Sequence, residues 1–255
     1  MHLKHPENEK KISLRGAVQI NHSSFFVCKD GEGQTFLDSG KDEKLHKSLV
    51  QNMIESNPFI KRILRRFRIK PFINIGTLKD LSDGHMNETC TIAMGVFSTL
   101  PEEIRNNVDM ESLKEASMLH DLGKVLIPSK ILNKPAKLNI KERKIMNIHS
   151  TLGYELLKTQ PLTKETLELI KYHHQNLKHS GYPKIPKSGT ESELGVQIIS
   201  IADKYSALRE ARVYRRRLSR VEALLILYRE VREGKILPAV YNALLKYAEQ
   251  YDTAC

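Results

Sequence analysis

Met118-Leu119-His120-Asp121-Leu122-Gly123-Lys124 opens the stretch that decides how this chain is read, and His173-His174 with Ser180-Gly181-Tyr182-Pro183 closes it. Between them lies His149, in register with Ile145, Met146, Gly153 and Leu156 on one stripe of a helical pattern. Asn139-Ile140-Lys141-Glu142 starts that pattern as a capping box, with Asn in the Ser/Thr place. A helix over 110–119 runs into His120-Asp121. Another over 162–174 sets Leu167, Ile170, His173 and His174 on one side. Imidazoles and a carboxylate on inward helix faces point to a metal, and Lys124 beside them points to an anionic ligand.

Working outward, the helical pattern continues on both sides. Upstream, His85 lies seven residues before Ile92 and shares an inward face with Ala93, Val96 and Phe97. Downstream, Val196, Ile199 and Asp203 fall in line over 196–209. Ser219-Arg220-Val221-Glu222 is a capping box opening a Leu-rich helix, and a last helix fills 238–250. The connectors are 125–138, with Pro128 and Pro135, and a polar loop over 175–192.

The first 72 residues read differently. Ala17-Val18-Gln19-Ile20, Ser24-Phe25-Phe26-Val27-Cys28 and Thr35-Phe36-Leu37 are short β-rich runs around a Lys29-Asp30-Gly31-Glu32-Gly33 turn. Helical segments follow over 41–70. Leu45, Leu49, Met53 and Ile54 keep one face before Pro58, and Ile60, Ile63, Leu64 and Phe67 keep one after it. Lys61, Arg62, Arg65, Arg66 and Arg68 fill the opposite face. Such a basic amphipathic helix suits a membrane surface or nucleic acid, or simply packs with its charges in water. The stretch 71–77 reads as a linker. The organisation expected is an N-terminal region, 1–72, of short strands and basic helices, and a helical domain, 73–255.

Composition sets the outer bounds. Of the 255 residues, 40 % are hydrophobic and 28 % charged, enough apolar material for a core and unlike a disordered chain. The net charge of +11 favours anionic ligands, but no base-reading motif accompanies it, so no specific nucleic-acid partner is expected. Cys28, Cys90 and Cys255 are far apart, as reduced cytoplasmic thiols would be. No run reaches the ~18 apolar residues of a membrane span.

The chemistry lies in the convergence. Five of ten histidines, His85, His120, His149, His173 and His174, fall on inward faces or helix ends, with Asp121 and Asp203. Each alone reads as a satisfied core residue. Seven polar groups facing one core are costly to bury unless they share a partner, and a metal is the usual one. Treated as neighbours on a helix, His120 and Asp121 point about 100° apart and can serve two ions from one place. Nitrogen and oxygen ligands without thiolate suit Fe, Mn, Zn, Ni or Co. Two ions about 3.5–4 Å apart can hold a hydroxide and clamp a phosphoryl oxygen. Lys124, one turn on, can offset developing negative charge.

His120-Asp121 with His85 and Asp203 resembles the HD superfamily of metal phosphohydrolases. A longer run resembles its HD-GYP subfamily: His120-Asp121-x-Gly123-Lys124, Ile127-Pro128, Ile131-Leu132-x-Lys134-Pro135, Leu138, Glu142, Met146, His149 and Gly153, then His173-His174 and Gly181-Tyr182-Pro183. Asp203-x-Tyr205-x-Ala207-Leu208 and Arg212-x-Tyr214-Arg215 continue it, so the resemblance covers about residues 80–250. It implies a mainly α, HD-type helical bundle. It also implies cytoplasmic bacterial signalling, with hydrolysis of cyclic di-GMP or a related cyclic dinucleotide to linear pGpG or on to GMP. By resemblance His85, His120, Asp121, His149, His173, His174 and Asp203 are ligands of two divalent ions, Fe or Mn first, with Zn, Ni, Co or Mg as substitutes. Asp121 and Lys124 are then the catalytic pair, and Lys124, Tyr182, Arg212 and Arg215 contact the substrate. The resemblance leaves room for a homodimer and for a signalling protein docking on Gly181-Tyr182-Pro183.

The chain departs from the subfamily pattern in four places. Gln175 replaces an acidic residue after the paired histidines, Lys178-His179 replaces Asp-Gly, and Ser206 replaces an aspartate. Leu81 replaces the glutamate of three-metal members and argues against a third ion. These changes leave two alternatives: a non-catalytic nucleotide- or protein-binding module, and a phosphohydrolase of another nucleotide.

Overall fold

The structure, a computed structural model, describes residues 27–29, 35–37, 51–52, 54–71, 84–186, 192–211 and 216–252. By backbone contacts the chain divides into two compact units, Met1–Asp38 and Ser39–Cys255. In the first, β1 (Val27–Lys29) and β2 (Thr35–Leu37) pair antiparallel with Cys28 opposite Phe36, the hairpin expected around the glycine-containing turn. The strand expected over 17–20 lies outside the described residues.

Among its described residues the regular elements of the second unit are all helices. It begins with α1 (Pro58–Phe67). Pro58 starts this helix rather than only ending the one before it. Asn57 caps it by accepting from the N–H groups of Phe59 and Ile60, and proline suits the first helical position, where no N–H donor is required. Ile60 and Leu64 are buried, while Arg62, Arg65 and Arg66 face water. The stripe expected from the sequence is therefore a packed face.

Next come α2 (His85–Thr99), the short α3 (Glu102–Arg105) and α4 (Met110–Leu119). A 3₁₀ turn (Leu122–Leu126) and the short α5 (Ser129–Leu132) occupy what the sequence presented as a plain connector. Then follow α6 (Ile140–Met146), α7 (His149–Leu157), α8 (Lys164–Tyr172), α9 (Glu193–Arg209), α10 (Arg220–Arg232) and α11 (Pro238–Tyr251). Both expected capping boxes form, at Asn139 with Glu142 and at Ser219 with Glu222.

Helix α2 is the hub, packing on α4, α9 and α11, while α8 bridges α4 to α7. The core is aliphatic: Ala93, Val96, Leu113, Leu119, Leu152, Leu169, Ile170, Ile198, Ile201 and Leu244 are buried. Each Val, Leu or Ile among them contributes about 1.5–3 kcal/mol when buried. No helix among the described residues is long and apolar enough to cross a membrane.

Three local readings change. The helix expected to run through Met146 and His149 breaks at 147–148 into α6 and α7, so His149 sits in a first turn rather than mid-helix. In α8 the buried residues are Thr166, Leu169, Ile170 and Tyr172, and Leu167 is only half-buried. Asp121 is not helical: His120 caps α4 and Asp121, at φ −97° and ψ 1°, turns the chain into the 3₁₀ segment.

Candidate metal centre

Helix ends build the site. His85 opens α2, His120 closes α4 and His149 opens α7. His173 closes α8, His174 follows it, and Asp203 projects from α9. The six imidazole and carboxylate side chains meet around Asp121. Two groups each bring one donor atom per residue within 4.8 Å of the others: Asp121 with His149, His173 and His174, and Asp121 with His85, His120 and Asp203. All seven residues expected as ligands are thus brought together, and Asp121 belongs to both groups.

Close approach of α7 to the 3₁₀ turn makes this possible. A Cβ on Gly123 would lie 1.9 Å from the carbonyl oxygen of His149 and 2.5 Å from the nitrogen of Gly153, so only glycine fits there.

The imidazoles are oriented by the backbone. Nδ1 of His120 donates to the carbonyl of Ser117 at 2.8 Å, that of His149 to Met146 at 2.8 Å, and that of His173 to Ile170 at 2.7 Å. The same bond, to the carbonyl three residues back, recurs three times and leaves Nε2 as the acceptor facing the centre. Nε2 of His149 lies 3.2 Å from Oδ1 of Asp121, 3.3 Å from Nε2 of His173 and 3.1 Å from Nε2 of His174. Nε2 of His120 is buried without a hydrogen-bond partner. Three imidazole nitrogens crowded together, two of them fixed as acceptors, and one orphaned beside two carboxylates are a donor set that wants a cation. The residues present therefore fit divalent metal.

The electrostatics agree. Burial and neighbouring imidazoles push His173 well below its ordinary value, and burial with His149 lowers His174 to about 3, so both are neutral and able to ligate. Burial works to raise Asp121 and Asp203. It is outweighed at Asp121 by Lys124 and His120, and at Asp203 by His85 and His174, so both carboxyls stay well below the usual range. His85 behaves oppositely. Burial disfavours its charge, but the bond to Asp203 Oδ1 at 2.9 Å and the one to Glu210 raise it to about 10. A bound cation would take the place of that proton.

The remaining expected residues divide. The Lys124 ammonium donates to Oδ2 of Asp121. The Tyr182 ring leans on His174, centroids 4.6 Å apart, and its hydroxyl is pushed up by burial and by the charges of Asp203 and Asp121. Arg212, Arg215 and Leu81 lie outside the described residues. Sequence reasoning missed Glu210. Its Oε1, like the hydroxyl of Ser206, lies 3.1 Å from Nδ1 of His85. The signal was available, since Glu210 falls one helical turn after the missing aspartate at 206 and so offers a carboxylate from the same face.

The comparisons fall on this helical region. The sequence model for the HD domain matches residues 78–240, well over half of the chain. The chain belongs to the HD-domain family. Among curated relatives it is 35 % identical over 153 residues, 60 % of its length, to the 3'3'-cGAMP-specific phosphodiesterase 1 of Vibrio cholerae. It is 34 % identical over 150 residues, 58 % of its length, to the cyclic di-GMP phosphodiesterase response regulator RpfG of Xanthomonas campestris, and 32 % identical over 150 residues, 57 % of its length, to a cyclic di-GMP phosphodiesterase of Thermotoga maritima. The chain spans 35 %, 39 % and 39 % of those three proteins. Among solved structures it resembles Bd1817, an HDG"Y"P protein from Bdellovibrio bacteriovorus, at a TM-score of 0.51 and 15 % identity, covering 80 % of this chain and 61 % of that one. That likeness is one of fold.

Proposed function

We propose that this chain is a metal-dependent phosphodiesterase that hydrolyses cyclic di-GMP or a related cyclic dinucleotide to linear pGpG or on to GMP. The observation that carries the reading is the double cluster sharing Asp121, with imidazole Nε2 atoms aimed inward. The similarity to phosphodiesterases of cyclic di-GMP and 3'3'-cGAMP supports it. On this reading the catalytic machinery lies within 73–255, and α1, from the N-terminal stretch 1–72, belongs to the same compact unit.

Two divalent ions, Fe or Mn first, supply Lewis acidity and an activated water when bound. His149, His173 and His174 would hold one, and His85, His120 and Asp203 the other, with Asp121 available to both. The chain does the rest. Backbone carbonyls fix the tautomers of three ligands, and the aliphatic core behind the site limits water. Lys124 faces the phosphate and meets the charge that grows on its oxygens as water adds to phosphorus and the P–O3' bond breaks. Tyr182 lines the ligand side of His174. Arg212 and Arg215, by their match to the subfamily motif, contact the phosphates and bases, as suits a dianionic ligand.

The test is turnover of cyclic di-GMP, 3'3'-cGAMP and cyclic di-AMP by protein loaded with Fe or Mn under reducing conditions, with products separated by chromatography. Linear dinucleotide, lost in His120→Ala and Asp121→Ala, is expected. Failure to cleave any of the three with either metal overturns the proposal, and binding without product points to a non-catalytic module.

A further inference from the structure

The loop that carries Tyr182 has lost the acidic residues of its subfamily pattern, yet it is tied down at every step. The ties are amides. Gln175 is buried, at 1 % exposure. Its Oε1 accepts the N–H of Gly181 at 3.1 Å and its Nε2 donates to the carbonyl of Pro183. Those two groups flank Tyr182. Asn176 secures the first half of the loop: its Oδ1 accepts the N–H of Lys178 at 3.0 Å, the N–H of Ser180 at 3.3 Å and the Ser180 hydroxyl at 3.2 Å. Gly181 lets the strap close, because a Cβ there would lie 2.1 Å from the carbonyl oxygen of His174 and 2.9 Å from Cα of Gln175. The Tyr182 ring is thereby set against His174, tilted 37°, and 6.2 Å from His149.

Gln175 does what the expected acid cannot. An ionised carboxylate only accepts, so it would hold Gly181 but repel the Pro183 carbonyl. An amide of this length supplies one acceptor and one donor at once. We propose that Gln175 is a positioning residue that grips both flanks of Tyr182 and presents its ring as a fixed wall of the ligand site. The carboxylate-free loop keeps that wall without placing negative charge beside a dianionic ligand. The identity of that ligand rests on the phosphodiesterase reading; the grip itself does not.

The experiment uses full-length, metal-loaded protein carrying Gln175→Met, Gln175→Glu, Tyr182→Ala, or Tyr182→Ala with each Gln175 change. Metal content and melting temperature identify variants that keep the fold, and Gln175→Glu, nearly isosteric, stands in if the methionine variant does not. Backbone hydrogen exchange over residues 176–186 is measured without ligand. Binding of a phosphorothioate analogue of cyclic di-GMP is measured by calorimetry. Exchange is expected to rise in both single Gln175 variants, confined to that loop, and affinity to fall by about tenfold, as for a buried bond left unmade. In the Tyr182→Ala background Gln175→Met, which adds no charge, should cost no further affinity, since Gln175 acts through Tyr182. Unchanged exchange in both single variants, or a Gln175→Met loss that adds to that of Tyr182→Ala, overturns the inference. If the unsubstituted protein binds no analogue, the phosphodiesterase reading is what fails, and the exchange measurement alone decides the grip.

Discussion

Asp121 presents its two oxygens to different partners: Oδ1 lies 3.2 Å from Nε2 of His149, while Oδ2 lies 3.5 Å from Nε2 of His120 and accepts from Lys124. One carboxylate therefore joins two donor clusters that no other side chain shares among the described residues. Removing it should be worse than removing any imidazole. Asp121→Ala is expected to lose both metals and at least about 10²-fold in activity, the range seen when a metal's supporting groups are lost. His85→Ala should lose only the metal of its own cluster. Elemental analysis of anaerobically purified protein measures the stoichiometry, and equal losses in the two variants would refute the shared role.

Lys124 touches that same carboxylate, so its own contribution can be separated from metal binding. Lys124→Met removes a cation from beside a donor oxygen without removing a donor. Metal content should stay at the level of the unsubstituted protein, while turnover falls about 10²–10³-fold, as when one preorganised donor to a developing oxyanion is lost. Loss of metal together with activity would make Lys124 a structural counter-ion instead.

The sequence was most legible where spacing is enforced by helices. His85 to Ile92, Ile199 to Asp203 and the two capping boxes are local patterns, and the structure keeps them. It was least legible at helix ends, where the metal centre is built. Nothing in periodicity announces that Asp121 leaves the helix, or that α6 and α7 break between Met146 and His149. Both breaks serve contacts between residues distant in the chain, such as Gly123 against His149. Glu210 escaped notice for the opposite reason: its register was readable, but its partner, His85, lies 125 residues away.

Asp252 ties the end of α11 back to α9 and gives a prediction about pH. Its carboxylate accepts from Nε of Arg209 at 2.8 Å, from Nη2 of Arg209 at 2.6 Å and from the Tyr205 hydroxyl. Burial works to raise this carboxyl, but the bonds from Arg209 and Tyr205 outweigh it and hold it below its ordinary value. A depressed carboxyl stabilises the fold above its unfolded-state value, about 3.9, and loses that contribution as pH falls through the folded-state value. Asp252→Asn should therefore melt lower than the unsubstituted protein at pH 7, with the gap closing below about pH 4. Calorimetric melting from neutral to acid pH checks the sign, and a gap that widens on acidification would contradict it.

Gly123 supplies the last test, because it couples packing to the metal centre. Alanine there must displace the backbone of His149 or of Gly153, both of which are chain atoms and cannot swing aside. Gly123→Ala is expected to cost about 1–3 kcal/mol in urea unfolding, the usual range for overpacking, and more if α7 cannot shift. Any shift moves His149, whose Nε2 faces Asp121, His173 and His174 together. The variant should therefore lose metal preferentially from that cluster, leaving about one ion per chain in place of the two proposed for the unsubstituted protein. Gly153, where a Cβ would meet the nitrogen of Gly123 no closer than 3.3 Å, is the control. Gly153→Ala should be milder in both measurements, and equal effects at the two glycines would show that close packing of α7 on the 3₁₀ turn does not set the position of His149.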